Sequence, residues 1–194
     1  MQKMNTRELI EILAVAEKLK NNTRHSWTSS TRHESVAEHS WRLSLMAYFV
    51  KDEFPEANIN KVILMCICHD LGEAITGDIP AFIKTENDEI VENREVCQLL
   101  NNLPEPYKNE LSALFIEMHS QKTIESRIYK ALDKMETLIQ HNEADISTWI
   151  PLEYELNLTY GEKEVEFSNY MKKLKQTIND DTIEKIQCSK ESVS

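Results

Sequence analysis

His69 and Asp70 stand side by side at the end of an apolar run, and Glu73 and Asp78 follow within the same stretch, CICHDLGEAITGDIP, residues 66 to 80. Val62, Ile63, Leu64, Met65 and Ile67 draw this segment into the interior. Acids carried inward need a cation, a hydrogen-bond network or a substrate as partner. Upstream, Ser35-Val36-Ala37-Glu38 fits the S-x-x-E box that starts a helix. On that helix His39 is followed at three- and four-residue steps by Leu43, Met46, Ala47 and Val50, so the imidazole faces inward. Downstream, Asp133 borders the apolar stripe made by Ile124, Ile128, Leu132, Met135, Leu138 and Ile139. His39 alone would read as a hydrogen-bonded core histidine, and Asp133 alone as an exposed helix residue. Together His39, His69, Asp70 and Asp133 make a two-imidazole, two-carboxylate set suited to one divalent transition metal: Mn, Fe, Co, Ni or Zn. Neighbouring residues on a helix diverge by about 100°, so His69 and Asp70 can share an ion only if it sits close against the helix. Four protein ligands on a six-coordinate ion leave room for a water and a substrate oxygen.

The elements that must position these groups are helical. Three Gly and five Pro in 194 residues leave little turn chemistry for a sheet. A chain of this length suffices for one domain with a single core. The pattern predicts an all-α, single-domain bundle over residues 1–178 and a polar, frayed tail over 179–194. A first helix, capped by Thr6, runs to about Lys20 and packs on the core through Leu9, Leu13, Ala16 and Leu19. Residues 21–33 read as a loop, 36–50 as the second helix, and the stretch from about Asn60 to Cys68 as a central helix. Gly72, Gly77 and Pro80 loosen and stop that central helix. Further helices are expected over 86–101, 107–118, 124–142 and 162–178, with 143–161 irregular. Trp41 and Trp149 are expected to pack inside, and His25, His33, His119 and His141 to lie on the surface.

A net charge of −11 opposes binding to polymeric nucleic acid. It does not oppose a small anion, because one metal ion and one or two arginines reverse the potential locally. Cys66, Cys68, Cys97 and Cys188 form no CxxC pair, the N-terminus shows no apolar signal region, and no apolar run is long enough for a bilayer. These features point to a reduced, cytoplasmic protein that does not span a membrane.

The strings RHSW (24–27), ESVAEHS (34–40), HDLGEAITGDIP (69–80) and KALDKMETLIQ (130–140) resemble, in order and spacing, the HD-domain metal-dependent phosphohydrolases. Within that family they look like the 5′-deoxynucleotidase subgroup. The resemblance spans about residues 8 to 175 and implies hydrolysis of a small nucleotide, foremost a 2′-deoxyribonucleoside 5′-monophosphate. It implies His39, His69, Asp70 and Asp133 as metal ligands and Glu73 in acid/base work, one turn beyond His69. It further implies Asp78 at the reaction and at the sugar hydroxyl, and Arg24 with Trp27 orienting phosphate and sugar, Trp27 crowding a 2′-hydroxyl. A homodimer is expected on the same ground. The chain departs from the family in reading Glu117-Met118-His119 before the last ligand helix. Alternatives are a phosphohydrolase acting on a nucleoside triphosphate or cyclic nucleotide, and a helical binding protein with a structural metal. A di-iron oxygenase would need extra histidine ligands, and the chain has no HDxxxH-type addition near Asp70.

Overall fold

In a computed structural model that describes residues 3–191, helices dominate and a short two-stranded ribbon is the only sheet among those residues. Three helices form the middle: α2 (Val36–Phe49), α3 (Ile59–Cys68) and α7 (Ile124–Glu143). Leu43, Ala47, Val62, Met65, Cys66, Ile128, Leu132, Met135 and Leu138 meet there in one buried cluster. Each large aliphatic chain removed from water in this cluster contributes about 1.5–3 kcal/mol. The Ser35–Glu38 capping box fixes the start of α2, the Ser35 side chain accepting from the Glu38 N–H and the Glu38 carboxylate from the Ser35 N–H. That sets the helical phase that turns His39 inward.

Around this centre lie α1 (Thr6–Glu17), α4 (Glu73–Thr76), α5 (Glu86–Asn101), α6 (Tyr107–Ser120), α8 (Glu153–Thr159), α9 (Glu162–Val165) and α10 (Asn169–Glu191). α5 packs against α4, and its closeness explains Gly72. A Cβ there would lie 2.8 Å from Glu92 Cγ and 2.9 Å from Val96 Cγ2. Gly77, at φ 79°, supplies the left-handed residue that ends α4.

Several expectations are corrected. Residues 21–33 are not a plain loop: β1 (Thr23–Trp27) pairs antiparallel with β2 (His33–Ser35), in the register Thr23 to Ser35 and Trp27 to His33 with an irregularity between. The strand was hidden because its side chains are polar and bind laterally, Arg24 to Thr137 and Ser26 to His141 on α7. Asn5, not Thr6, caps α1. Of the four expected core contacts, Leu19, in the turn that follows the helix, is buried against Val36 and Ala74 and Ala16 is half-buried, whereas Leu9 and Leu13, with Ile10, are about half exposed. The segment 143–161 contains α8, whose Glu153 and Asn157 are buried polar residues that an apolar pattern cannot register. The tail is not frayed over 179–191, because α10 continues to Glu191. Buried Thr182 there donates to Asn142 Oδ1 at 2.9 Å, pinning α10 to α7. Residues 192–194 of that tail lie outside the described residues. Trp149 is buried and donates to the His141 carbonyl at 3.0 Å, but Trp41 is 64% exposed, on the outer face of α2. Among the described residues no helix is long and apolar enough to cross a membrane.

Candidate metal centre

α2, α3 and α7 bring His39, His69, Asp70 and Asp133 to one point. Helix α3 ends at Cys68, and the chain then tightens through i→i+3 bonds from Leu71 N–H to the Cys68 carbonyl and from Glu73 N–H to the Asp70 carbonyl, each 3.0 Å. This turn swings Asp70 round until its Oδ2 is 3.0 Å from His69 Nε2, so two adjacent residues face one spot despite the divergence of helical neighbours. Asp133 Oδ1 lies 3.3 Å from His39 Nε2 and 3.7 Å from His69 Nε2. The two imidazoles are 5.3 Å apart between centroids.

The outer nitrogen of each ring is already committed. His69 Nδ1 donates to the Cys66 carbonyl at 2.9 Å, and His39 Nδ1 pairs with the fully buried Glu136, which Arg42 Nε holds at 2.7 Å. Both Nε2 atoms are buried without a hydrogen-bond partner. Unsatisfied buried nitrogens are rare and costly, and here two of them point at two carboxylates. Ligand atoms of His39, His69 and Asp70 fall within 4.8 Å of one another. A divalent transition ion fits this donor set, and the carboxylate behind His39 and the carbonyl behind His69 are the supports that orient metal-binding imidazoles.

The electrostatics agree. Burial opposes ionisation of Asp133, but Lys130, whose Nζ lies 2.9 Å from Oδ2, and His39 outweigh it and hold the carboxyl well below its usual range. Burial likewise opposes ionisation of Asp70, and His69 outweighs it. Glu136, despite burial, is lowered to about 2, chiefly by His39. Burial and Arg24 push His39 down, yet Glu136 and Asp133 raise it to about 9, so a cation entering the cluster displaces a proton.

A cleft of about 550 Å³ opens over this cluster. Arg24, Glu73 and Asp78 line it with His69, Asp70 and Asp133. The Arg24 side chain is 13% exposed: Nη2 donates to Thr137 Oγ1 at 3.1 Å, Nη1 stands 3.8 Å from both Glu34 and Glu136, and Nη1 has no hydrogen-bond partner. Burial disfavours its charge, but Glu136 and Glu34 more than compensate. Glu73 is 5% exposed, its backbone carbonyl accepting from Asn22 and its Oε2 without a partner. Burial, followed by the neighbouring Asp70, Asp78 and Glu92, pushes its carboxyl up to about 10. Burial also raises Asp78.

Trp27 is a correction. It does not line the cleft; its ring lies on His33, 4.1 Å between centroids, and its carbonyl accepts from Gln140 at 2.7 Å. The end of β1 turns that side chain outward along the ribbon. Glu117, Met118 and His119 lie within helix α6; Met118 and His119 reach the cleft, while Glu117 pairs with Lys61 at 2.8 Å. His25 and His141, expected on the surface, also line the cleft, beside Glu153. Sequence reasoning missed Glu136, Lys130 and Glu153. Glu136, an acid within the apolar stripe three residues after Asp133, is the one that the pattern could have flagged.

A family model described as HD domain matches residues 16–175. The 5′-deoxynucleotidase HDDC2 of Homo sapiens is 33% identical over 141 residues, 71% of this chain and 68% of that protein. That of Bos taurus is 32% identical over 147 residues, 74% and 71%. Among solved structures, a conserved hypothetical protein from Pyrococcus furiosus superposes with a TM-score of 0.69 at 28% identity, over 88% of this chain and 99% of that one. A protein from Magnetospirillum magnetotacticum MS-1, described as a predicted metal-dependent phosphohydrolase, shares the fold with a TM-score of 0.77 at 24% identity, over 94% and 97%.

Proposed function

The chain belongs to the HD-domain family, and from that premise we propose that it hydrolyses a nucleotide phosphate ester, foremost a 2′-deoxyribonucleoside 5′-monophosphate, to the deoxynucleoside and phosphate. The observation that carries this reading is the pair of orphaned buried Nε2 atoms facing Asp70 and Asp133 in a cleft that also holds an unsatisfied arginine.

His39, His69, Asp70 and Asp133 would hold one divalent ion. Such an ion supplies Lewis-acid stabilisation of phosphoryl charge and lowers the pKa of water at neutral pH. The chain's own residues do the rest. Arg24, on the cleft wall, offers its guanidinium to the phosphate, whose oxygens its planar fork matches. Thr137 holds the guanidinium in place, so little reorganisation accompanies the reaction. Glu73, kept protonated by burial and its acidic neighbours, carries a proton on its carboxyl for the leaving oxygen. Water forms the new P–O bond, the ester P–O bond breaks, and that proton neutralises the departing alkoxide; of the two water protons, one stays on the phosphate and the other restores the Glu73 carboxyl. Asp78 is assigned to a sugar hydroxyl, where its place on the cleft wall supports it.

A homodimer and a cytoplasmic location belong to the same proposal. The half-exposed Leu9, Ile10 and Leu13 on α1 support the first, and the buried, unbridged Cys66 and Cys68 support the second.

The test is phosphate release from a panel of deoxyribo- and ribonucleotides, including triphosphates and cyclic nucleotides, by chelator-treated protein reloaded with each divalent metal in turn. Turnover of 5′-monophosphates that returns with metal supports the assignment. Metal binding without turnover of any phosphate ester would leave a structural metal in a binding protein.

A further inference from the structure

Buried polar atoms without partners on the cleft wall fall into two groups. Arg24 Nη1, His69 Nε2 and Glu73 Oε2 surround the reaction centre; His25 Nε2 and Asn157 Nδ2 stand elsewhere. Helix α7 shows where. Asp133, Thr137 and His141 lie at successive four-residue steps on its cleft-facing side, so His141 is about 12 Å along the helix from Asp133. Asp133 belongs to the metal cluster, and Thr137 holds Arg24. Next in file, His141 holds Asn157: its Nδ1 donates to Asn157 Oδ1 at 3.0 Å, and its Nε2 accepts from Ser26 Oγ at 3.2 Å. In this arrangement the other end of the Asn157 amide turns away from His141. The free end is Nδ2, on a residue only 2% exposed.

Helix α8 adds Glu153 one turn before Asn157. Its Oε2 accepts from the Ile150 N–H at 2.8 Å, and its Oε1 stands 3.1 Å from His25 Nε2 and 3.6 Å from His141 Nε2. Phe82, edge-on to His25 at 5.3 Å, gives this end of the cleft a flat apolar wall. A buried amide hydrogen without an acceptor, such as that of Asn157, costs about 1–3 kcal/mol, and His25 Nε2, although 3.1 Å from Glu153 Oε1, is not aligned to bond it. What would satisfy them is a planar group with acceptor atoms on its rim, held one helix turn beyond the phosphate-binding arginine.

We propose that this end of the cleft is the nucleobase subsite, in which Asn157 Nδ2 and His25 donate to ring-nitrogen or carbonyl acceptors of the base while Phe82 packs on its plane. This rests on the nucleotide reading of the reaction centre. Asn157 and His25 are specificity residues; His141 and Ser26 are positioning residues that orient the Asn157 amide.

The experiment compares kcat/KM for dAMP, dGMP, dCMP and dTMP with that for 2-deoxyribose 5-phosphate, which keeps the phosphate and sugar and lacks the base. Wild type, Asn157→Asp and His25→Ala are measured with the same metal load. Asn157→Asp keeps the shape and replaces the donor by an acceptor; His25→Ala is the less buried site and guards against a folding defect in the first variant. The ratio of nucleotide to sugar phosphate should fall about tenfold in each variant, with the change in KM for the nucleotides and unequal among the four bases. A ratio that stays put in both variants, or a wild type that turns over 2-deoxyribose 5-phosphate as well as the nucleotides, overturns the subsite. A wild type that cleaves other phosphate esters but no nucleotide fails earlier, at the nucleotide reading, and is told apart from subsite failure by the wild-type panel alone.

Discussion

Arg24 Nη2 donates to the Thr137 hydroxyl at 3.1 Å, one helical turn beyond Asp133 on α7. The bond joins the polar ribbon to the helix that carries part of the metal cluster, and it holds a buried cation over a site built mostly from acids.

Arg24→Lys should therefore lower kcat/KM for the preferred nucleotide at least tenfold, about 1.4 kcal/mol of transition-state stabilisation, because an ammonium cannot replace the fork of donors. Metal content should stay near that of wild type. Equal kcat/KM in the two proteins would remove Arg24 from the phosphate.

His69→Ala and Asp70→Ala should each lose bound metal, as measured by elemental analysis of purified protein, and chelator should abolish phosphate release. Each variant removes one of four protein ligands. If both variants retain full metal and turnover, the cluster is not the metal site.

Glu136→Gln tests the support behind His39. The carboxylate that orients the imidazole and raises its basicity becomes a neutral amide, so metal affinity should weaken on the order of 10- to 100-fold while the ligands themselves remain. A competition titration against a chelating dye reads this directly, and an unchanged constant would make Glu136 a packing residue only.

Glu73→Gln should keep its metal and lose turnover on the order of 10² to 10⁴-fold. It should also change stability with a definite sign. The Glu73 carboxyl lies at about 10 when folded against an ordinary 4.5, so between these values the folded chain holds a proton that the unfolded chain releases. Its contribution to stability is full below about pH 4.5 and is lost as pH rises towards 10. Chelator-treated Glu73→Gln should thus be more stable than wild type at pH 8, and the advantage should shrink towards pH 5. Urea unfolding at the two pH values decides it; a pH-independent difference would detach the effect from titration.

Gly72→Ala should destabilise the fold by about 1–3 kcal/mol, the usual cost of overpacking, since the new methyl meets Glu92 Cγ at 2.8 Å and Val96 Cγ2 at 2.9 Å. Thermal unfolding gives the number. A variant as stable as wild type would mean that α5 yields without strain.

The helical core and the reaction centre were legible in the sequence because their signals are local: a capping box before His39, an apolar run before His69 and Asp70, and an amphipathic stripe beside Asp133. What escaped lay in polar residues that find partners across the fold. Arg24 is recognisable only through the family resemblance; by itself it reads as a solvated loop arginine, and its partners Thr137, Glu34 and Glu136 lie far along the chain. Glu153 and Asn157 lack an apolar periodicity, and their burial depends on His25 and His141 from elements far away in the chain. Trp27 matched a motif by spacing, yet the irregular ribbon register directs its ring onto His33. Thr182 belongs to a helix that polarity alone would have ended earlier.

Helix α7 carries Asp133, Glu136, Thr137 and His141 on one rigid rod, and this bears on how such a chain can change over evolutionary time. Losing or gaining a single residue between Asp133 and His141 would rotate everything beyond it by about 100°, separating the arginine anchor from the metal cluster in one step. Substitutions are therefore the open route within that span. The turn between α7 and α8 is free of this constraint, so length changes there would move Glu153 and Asn157 relative to the reaction centre and alter what the enzyme accepts without disturbing how it reacts.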